Sequence, residues 1–114
     1  MNKSNKSIKN FHHFLNSFVD KATNEIPTNM SVDNLLPIYF AYFHLGRLYY
    51  KLTTPDKLMQ INNIKNSLKY YNLLITGCEN NKDAGETFKA ELGVCKEMVM
   101  LLPLKMKRLL EETK

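Results

Sequence analysis

The sequence predicts an all-α chain built of antiparallel helix pairs, with about four helices in one domain. Three observations predict it. Apolar residues recur every three or four positions in four separate segments. No segment reads convincingly as a strand. Turns containing proline or glycine separate the segments, and a short turn folds a helix back on its predecessor. At 114 residues, 44% hydrophobic and 24% charged, the chain suits one globular domain.

The first segment carries Ile8, Phe11, Leu15, Phe18, Val19 and Ala22 on one helix face. Ser7 is placed to cap it, so residues 1–7 read as a flexible N-terminus and 8–112 as the helical domain. The helix should stop before Pro27, because the residue before a proline is pushed out of the α region. The second helix starts near Asp33 and runs to about Thr53, or slips to Leu36 because proline inside a helix is costly and Pro37 lies near the start. Leu35, Tyr39, Tyr42, Gly46, Tyr49 and Thr53 share one stripe of it, widened by Ile38, Phe43, Leu45, Tyr50 and Leu52. A stripe that wide packs on more than one neighbour. Phe40, His44, Arg47 and Lys51 form the opposite stripe.

Thr54-Pro55-Asp56 reads as a cap, a first-position proline and a first-turn acid. The third helix then shows Leu58, Ile61, Ile64, Leu68, Tyr71 and Ile75 on one face, with Gly77 as its stop. After a polar loop, ENNKDAG, the fourth helix buries Phe88, Leu92, Cys95, Val99 and Leu102. Pro103 interrupts it, yet Met106, Leu109 and Leu110 resume in phase. That pattern predicts a helix kinked at Pro103, or two abutting helices, ending near Glu112.

One motif stands out. Tyr42-x2-Leu45-Gly46-x2-Tyr49 has the form of the first helix of a tetratricopeptide repeat, with tyrosine in the tryptophan slot. Gly46 would admit a paired helix closely, with Tyr42, Leu45 and Tyr49 filling the space around it. Ser67-x3-Tyr71 supplies the small residue and aromatic that the second helix needs. The fit requires about nine more residues between the helices than the standard repeat has.

A longer resemblance runs through HLGRLYYKLTTPDKLMQINNIKNSLKYYNLLITGCE and KEMVMLLPLKMKRLL. Its features are Arg47-Leu48-Tyr49, Ser67 to Tyr71, Cys78-Glu79 and Lys96 to Met106, the last placing a proline inside a helical run. Over about residues 8–112 the chain resembles the C-terminal portion of the KIF-binding protein family, whose members are much longer. The resemblance implies a cytosolic, tetratricopeptide-like α-solenoid that grips kinesin motor domains in a concave face and holds them off microtubules. It implies roles in microtubule-based transport, cytoskeletal organisation and neurite growth. It implies no enzyme and no cofactor.

The residues themselves carry no constellation for catalysis. His12 and His13 are adjacent and diverge on a helix, and neither they nor His44 has an acid four residues away. All three read as surface histidines. Cys78 and Cys95 lack further ligands nearby and read as buried free thiols. No signal peptide and no membrane-spanning apolar run is expected. The net charge of +5 with pI about 9.2 leaves an alternative: a free-standing basic bundle that binds nucleic acid. Only two of the 16 basic residues are arginine, and they are scattered. The candidates for partner contact are Phe40, His44, Arg47 and Lys51, with Met100, which points away from the stripe of the last helix.

Overall fold

The computed structural model describes residues 3–27 and 30–112. Five helices follow in order: α1 (Lys3–Asn16), α2 (Val32–Lys51), α3 (Lys57–Asn80), α4 (Lys82–Thr87) and α5 (Lys89–Glu112). Among the described residues there is no strand, and one isolated bridge joins Asp20 to Glu25.

Helix α1 begins at Lys3, so residues 3–7 are helical and Ser7 lies inside the helix instead of capping it. Met1 and Asn2 lie outside the described residues. The helix also ends earlier than its apolar stripe. After Asn16 the hydrogen bonds tighten: Ser17, Phe18 and Val19 donate three residues back, at 3.2, 3.0 and 3.3 Å. The Ser17 hydroxyl competes for the same Phe14 carbonyl, at 2.6 Å. Asp20 then accepts from the Ala22 amide at 2.8 Å, and Asn24 takes a left-handed φ of 59°, which asparagine tolerates. Val19 and Ala22, read from their spacing as helical, therefore sit in a turn. Polar side chains that bond their own backbone outweigh the periodicity there.

Ser31, in extended backbone, precedes α2 without a side-chain capping bond, and Asp33 lies in the first turn instead of capping it. Pro37 lies within the helix at an exposed position and does not push the start to Leu36. Its ring nitrogen cannot bond the Asp33 carbonyl, a loss that is tolerable close to the N-terminus and near water. At α3 the cap is Asp56, not Thr54. Its carboxylate accepts from the amides of Leu58 and Met59 at 2.9 and 3.3 Å, while the Thr54 hydroxyl accepts from the Asp56 amide at 3.2 Å. Leu58, read as core, is 73% exposed because it lies beyond the end of the packed face. That face runs instead through Ile61, Ile64, Ser67, Tyr71, Leu74 and Cys78.

Helices α2 and α3 lock together through two reciprocal pairs. A Cβ on Gly46 would sit 2.5 Å from the Tyr71 ring, and a Cβ on Gly77 would sit 2.6 Å from the Tyr39 ring. Each helix thus offers one glycine hollow and one tyrosine knob. Beside the first pair the Ser67 hydroxyl donates to the Gly46 carbonyl at 2.6 Å, fully buried. Gly77 therefore does not end α3, which continues to Asn80. A glycine that could stop a helix serves here to let a neighbour in. Leu45, Leu74, Tyr42 and Ile38 close the space around these pairs.

The ENNKDAG segment is not a loop. Asn81 caps the short α4 by accepting from the Ala84 amide at 3.1 Å, and Ala84 is buried beneath it. Phe88 follows as a buried corner, and α5 runs as one helix through Pro103, an exposed residue. Cys95 and Leu102 are its most buried side chains.

Helix α1 is held against this frame by His12, which is half-buried and not a surface histidine. Its Nε2 lies 2.8 Å from the Tyr49 hydroxyl and its Nδ1 3.4 Å from that of Tyr70. Burial, and then the charge of Lys69, push its pKa below the usual 6.5.

Two predictions follow from this packing. Gly46→Ala and Gly77→Ala should each destabilise the chain by about 1–3 kcal/mol, because the buried tyrosine rings cannot move aside. Gly93→Ala, where a Cβ meets nothing within 4 Å, should instead stabilise by up to about 1 kcal/mol; urea unfolding reads both signs. The second concerns pH. A lowered folded pKa means the unfolded chain binds more protons, so the His12 contribution is complete above about 6.5 and shrinks as pH falls below it. The urea midpoint should drop between pH 7.5 and 5, and His12→Phe should flatten that drop.

Candidate functional site

Helix α3 is the floor between two walls. It runs antiparallel to α2, as the Gly46–Tyr71 and Tyr39–Gly77 pairs require. It also runs antiparallel to α5, since Lys57 at its start meets Glu112 at the end of α5, 3.5 Å apart. Helices α2 and α5 are therefore parallel to each other, and a groove opens between them. One wall carries Phe40, Phe43 and His44; the other carries Phe88, Ala90 and Val94, with Glu91 at that end; together they enclose about 420 Å³. Phe43 lies 6.3 Å from the Tyr71 ring, centroid to centroid. Further along, the Lys105 ammonium sits 4.7 Å over the Tyr50 ring and links the walls. Leu101 lies one heptad beyond Val94, on the same face of α5, and is half exposed.

The groove is apolar at one end and basic at the other. Phe40 is 52% exposed. Its ring lies 4.2 Å from that of His44, centroid to centroid, and Phe11 of α1 stacks on His44 at 5.8 Å and 3°. His44 is consequently half-buried and not part of a solvated face. An Arg47 guanidinium nitrogen lies 3.4 Å from His44 Nδ1. Arginine can only donate, so Nδ1 accepts and the ring proton sits on Nε2. Burial and then Arg47 keep the His44 pKa below 6.5, which leaves the ring neutral at pH 7. Arg47 and Lys51 are exposed, as is Arg108 on α5. Among the described residues the one ion pair is Lys57–Glu112, so Arg47, Lys51, Lys105 and Arg108 have no carboxylate partner.

Met100 is 75% exposed, but it lies six residues from Val94, about 120° round α5, and is not brought to the groove. Tyr42, Leu45, Gly46, Ser67 and Tyr71 are buried in the α2–α3 interface, and Tyr49 is half-buried against His12. Reading the sequence alone missed Phe43, Phe88, Val94 and Lys105 as groove residues. The cap at Asn81 was the available signal for Phe88, since it turns the supposed loop into α4, at whose C-terminal end this ring lies.

A second cleft of about 450 Å³ opens between α1, the 17–27 turn, α2 and α3. Leu15, Leu35, Ile38, Tyr39, Tyr42 and Tyr70 line it, with Lys69 also contributing. Burial raises the hydroxyls of Tyr42 and Tyr70 to about 12, so both remain protonated donors. Cys78 and Cys95 are buried free thiols. Burial raises Cys95 to about 12, which makes it a poor nucleophile. Among the described residues no group of three or more His, Cys, Asp or Glu could hold a metal ion. No helix there is long and apolar enough to cross a membrane.

Comparison with known proteins places this arrangement. A family model described as KIF-1 binding protein C terminal matches residues 1–109. The KIF-binding protein of Gallus gallus is 42% identical over 105 residues, covering 90% of this chain and 17% of the relative. That of Drosophila melanogaster is 39% identical over 101 residues, covering 88% and 17%. That of Homo sapiens is 37% identical over 109 residues, covering 95% and 17%. The chain thus spans 17% of the length of each of these relatives. No solved structure matches it significantly. The match along nearly the whole chain, with relatives above a third identical, shows that the chain belongs to the KIF-1 binding protein C-terminal family.

Proposed function

We propose that the chain acts as a kinesin-binding regulatory module. It would help to keep motor domains from engaging microtubules, and so regulate microtubule-based transport and cytoskeletal organisation in the cytoplasm. The observation that carries this reading is the family match over residues 1–109, whose curated relatives are named for KIF binding. The helix pairs suit a role in recognition rather than chemistry: α3 packs against both neighbours and leaves a groove between α2 and α5. In the full assembly these pairs would stack on further helix pairs as an α-solenoid. Phe40, His44, Arg47 and Lys51 are the contact residues of first choice, because they combine an exposed aromatic with cations that have no carboxylate partner among the described residues. Met100 would be a separate contact on the other side of α5. Nothing in the family match points to nucleic acid, and that alternative is set aside.

The test is co-precipitation of several purified kinesin motor domains with the chain at moderate salt. At least one motor should be retained, and its sedimentation with microtubules should fall when the chain is added. Phe40→Ala combined with Arg47→Glu should weaken retention about tenfold or more, a loss of roughly 1.4 kcal/mol. Absence of binding for every motor would overturn the proposal.

A further inference from the structure

The groove between α2 and α5 has a second property, independent of which protein meets it. Its two walls repeat one arrangement in the same direction. On α2 an exposed aromatic, Phe40, is followed eleven residues later by Lys51, with Arg47 between. On α5 the exposed Val94 is followed eleven residues later by Lys105, with Leu101 between and Arg108 beyond. Because the helices are parallel, both apolar ends coincide and both basic ends coincide. Phe40 and Val94 line the same hollow, and Lys105 reaches across to Tyr50 at 4.7 Å. Eleven residues of helix span about 16 Å, or three turns.

Glu91 lies at the apolar end of the groove, while beyond the basic end Glu111 and Glu112 follow Arg108 by three and four residues, Glu112 being paired with Lys57. None of the four cations has a carboxylate partner among the described residues. Arg47 rests on His44 and Lys105 on the Tyr50 ring, but neither contact neutralises a charge, so the four cations repel one another and an anionic segment would relieve that repulsion. Two parallel helices over a third form a trough that accepts a helix, the shape used in helix-in-groove recognition. Apolar anchoring and basic anchoring are then separated along the occupant by the same three turns.

We propose that the α2–α5 groove binds an amphipathic helical segment of a partner protein. The segment carries an apolar anchor that seats among Phe40, Phe43, Phe88 and Val94. About three turns away, on the same face, it carries acidic side chains that meet Arg47, Lys51, Lys105 and Arg108. The apolar anchor supplies most of the binding energy through burial. The acidic turn supplies direction and partner choice through charge. The proposal goes beyond the kinesin reading, since it names the chemistry of the segment and holds for any protein that carries one.

The probe is a fluorescein-labelled helical peptide of about five turns, with two leucines on one face near one end and three glutamates on that face toward the other. A control peptide has lysines in place of the glutamates. Fluorescence anisotropy against the whole chain should give saturable binding of the glutamate peptide, at least about tenfold tighter than the lysine peptide, and weakened by added salt. Arg47→Glu with Lys105→Glu should lower affinity for the glutamate peptide at least about tenfold and narrow the preference between peptides. Val94→Asp should also abolish tight binding, whereas Lys69→Glu, at the other cleft, should leave it unchanged. Circular dichroism confirms that each variant remains folded, and the comparison of two peptides needs no variant at all. Equal binding of the two peptides, no binding of the glutamate peptide at millimolar concentration, or wild-type affinity in the double charge reversal would overturn the proposal. So would a concentration-dependent dimer that Val94→Asp abolishes, because the groove would then be covered by a second copy. Failure of kinesin capture alongside tight peptide binding would overturn the kinesin reading alone.

Discussion

The structure depends on the reciprocal fit of Gly46 with Tyr71 and of Gly77 with Tyr39. Helices commonly approach to 8–10 Å, and how close they come is set by the side chains at the crossing. Removing a side chain at one point on each helix lets a large ring from the other enter. Two such points, seven residues apart on α2 and six on α3, determine both the spacing and the sliding register. A shift by one turn would drive each tyrosine against a residue with a Cβ. The Ser67 hydroxyl adds a buried hydrogen bond at 2.6 Å at the same crossing, and it can form only in this register.

The rest of the molecule is arranged around that lock. Tyr71 fills the Gly46 hollow and at the same time lies 6.3 Å from Phe43, which lines the groove between α2 and α5. Tyr39 fills the Gly77 hollow and also meets Phe88 at 6.3 Å, at the corner where α4 gives way to α5. The ring of Tyr39 that aligns α2 with α3 thereby also fixes the corner where α5 begins. On the other side, the register brings Tyr49 and Tyr70 into parallel stacking, 6.1 Å apart and 1° from coplanar in orientation. That pair is the seat of His12 and therefore of α1.

Much of this was legible in the sequence. The apolar period located α2, α3 and α5, and the Tyr42-x2-Leu45-Gly46-x2-Tyr49 spacing pointed to a close helix approach. What was less legible depended on partners distant in sequence. Gly77 can end a helix or admit a ring, and only the position of Tyr39, 38 residues earlier, decides between them. Leu58 fits the period of α3 but has no neighbouring helix above it. The stripe of α1 continues in phase past Asn16, yet Ser17 and Asp20 bond the local backbone and turn the chain. His44 sits on the polar stripe of α2, and nothing in that helix shows that Phe11 will cover it. The basic ends of α2 and α5 look scattered along the chain; they gather only once α3 makes those helices parallel.

If the glycine–tyrosine fit governs the register, its two members must be energetically coupled. The direct measurement is a double-mutant cycle by urea unfolding, with Gly46→Ala, Tyr71→Leu and the pair together. The account predicts strong non-additivity: with the ring gone, the added methyl should cost little, or even stabilise through helix propensity, giving a coupling above about 1 kcal/mol. Additive effects, within about 0.5 kcal/mol, would contradict it and show that the register is held elsewhere.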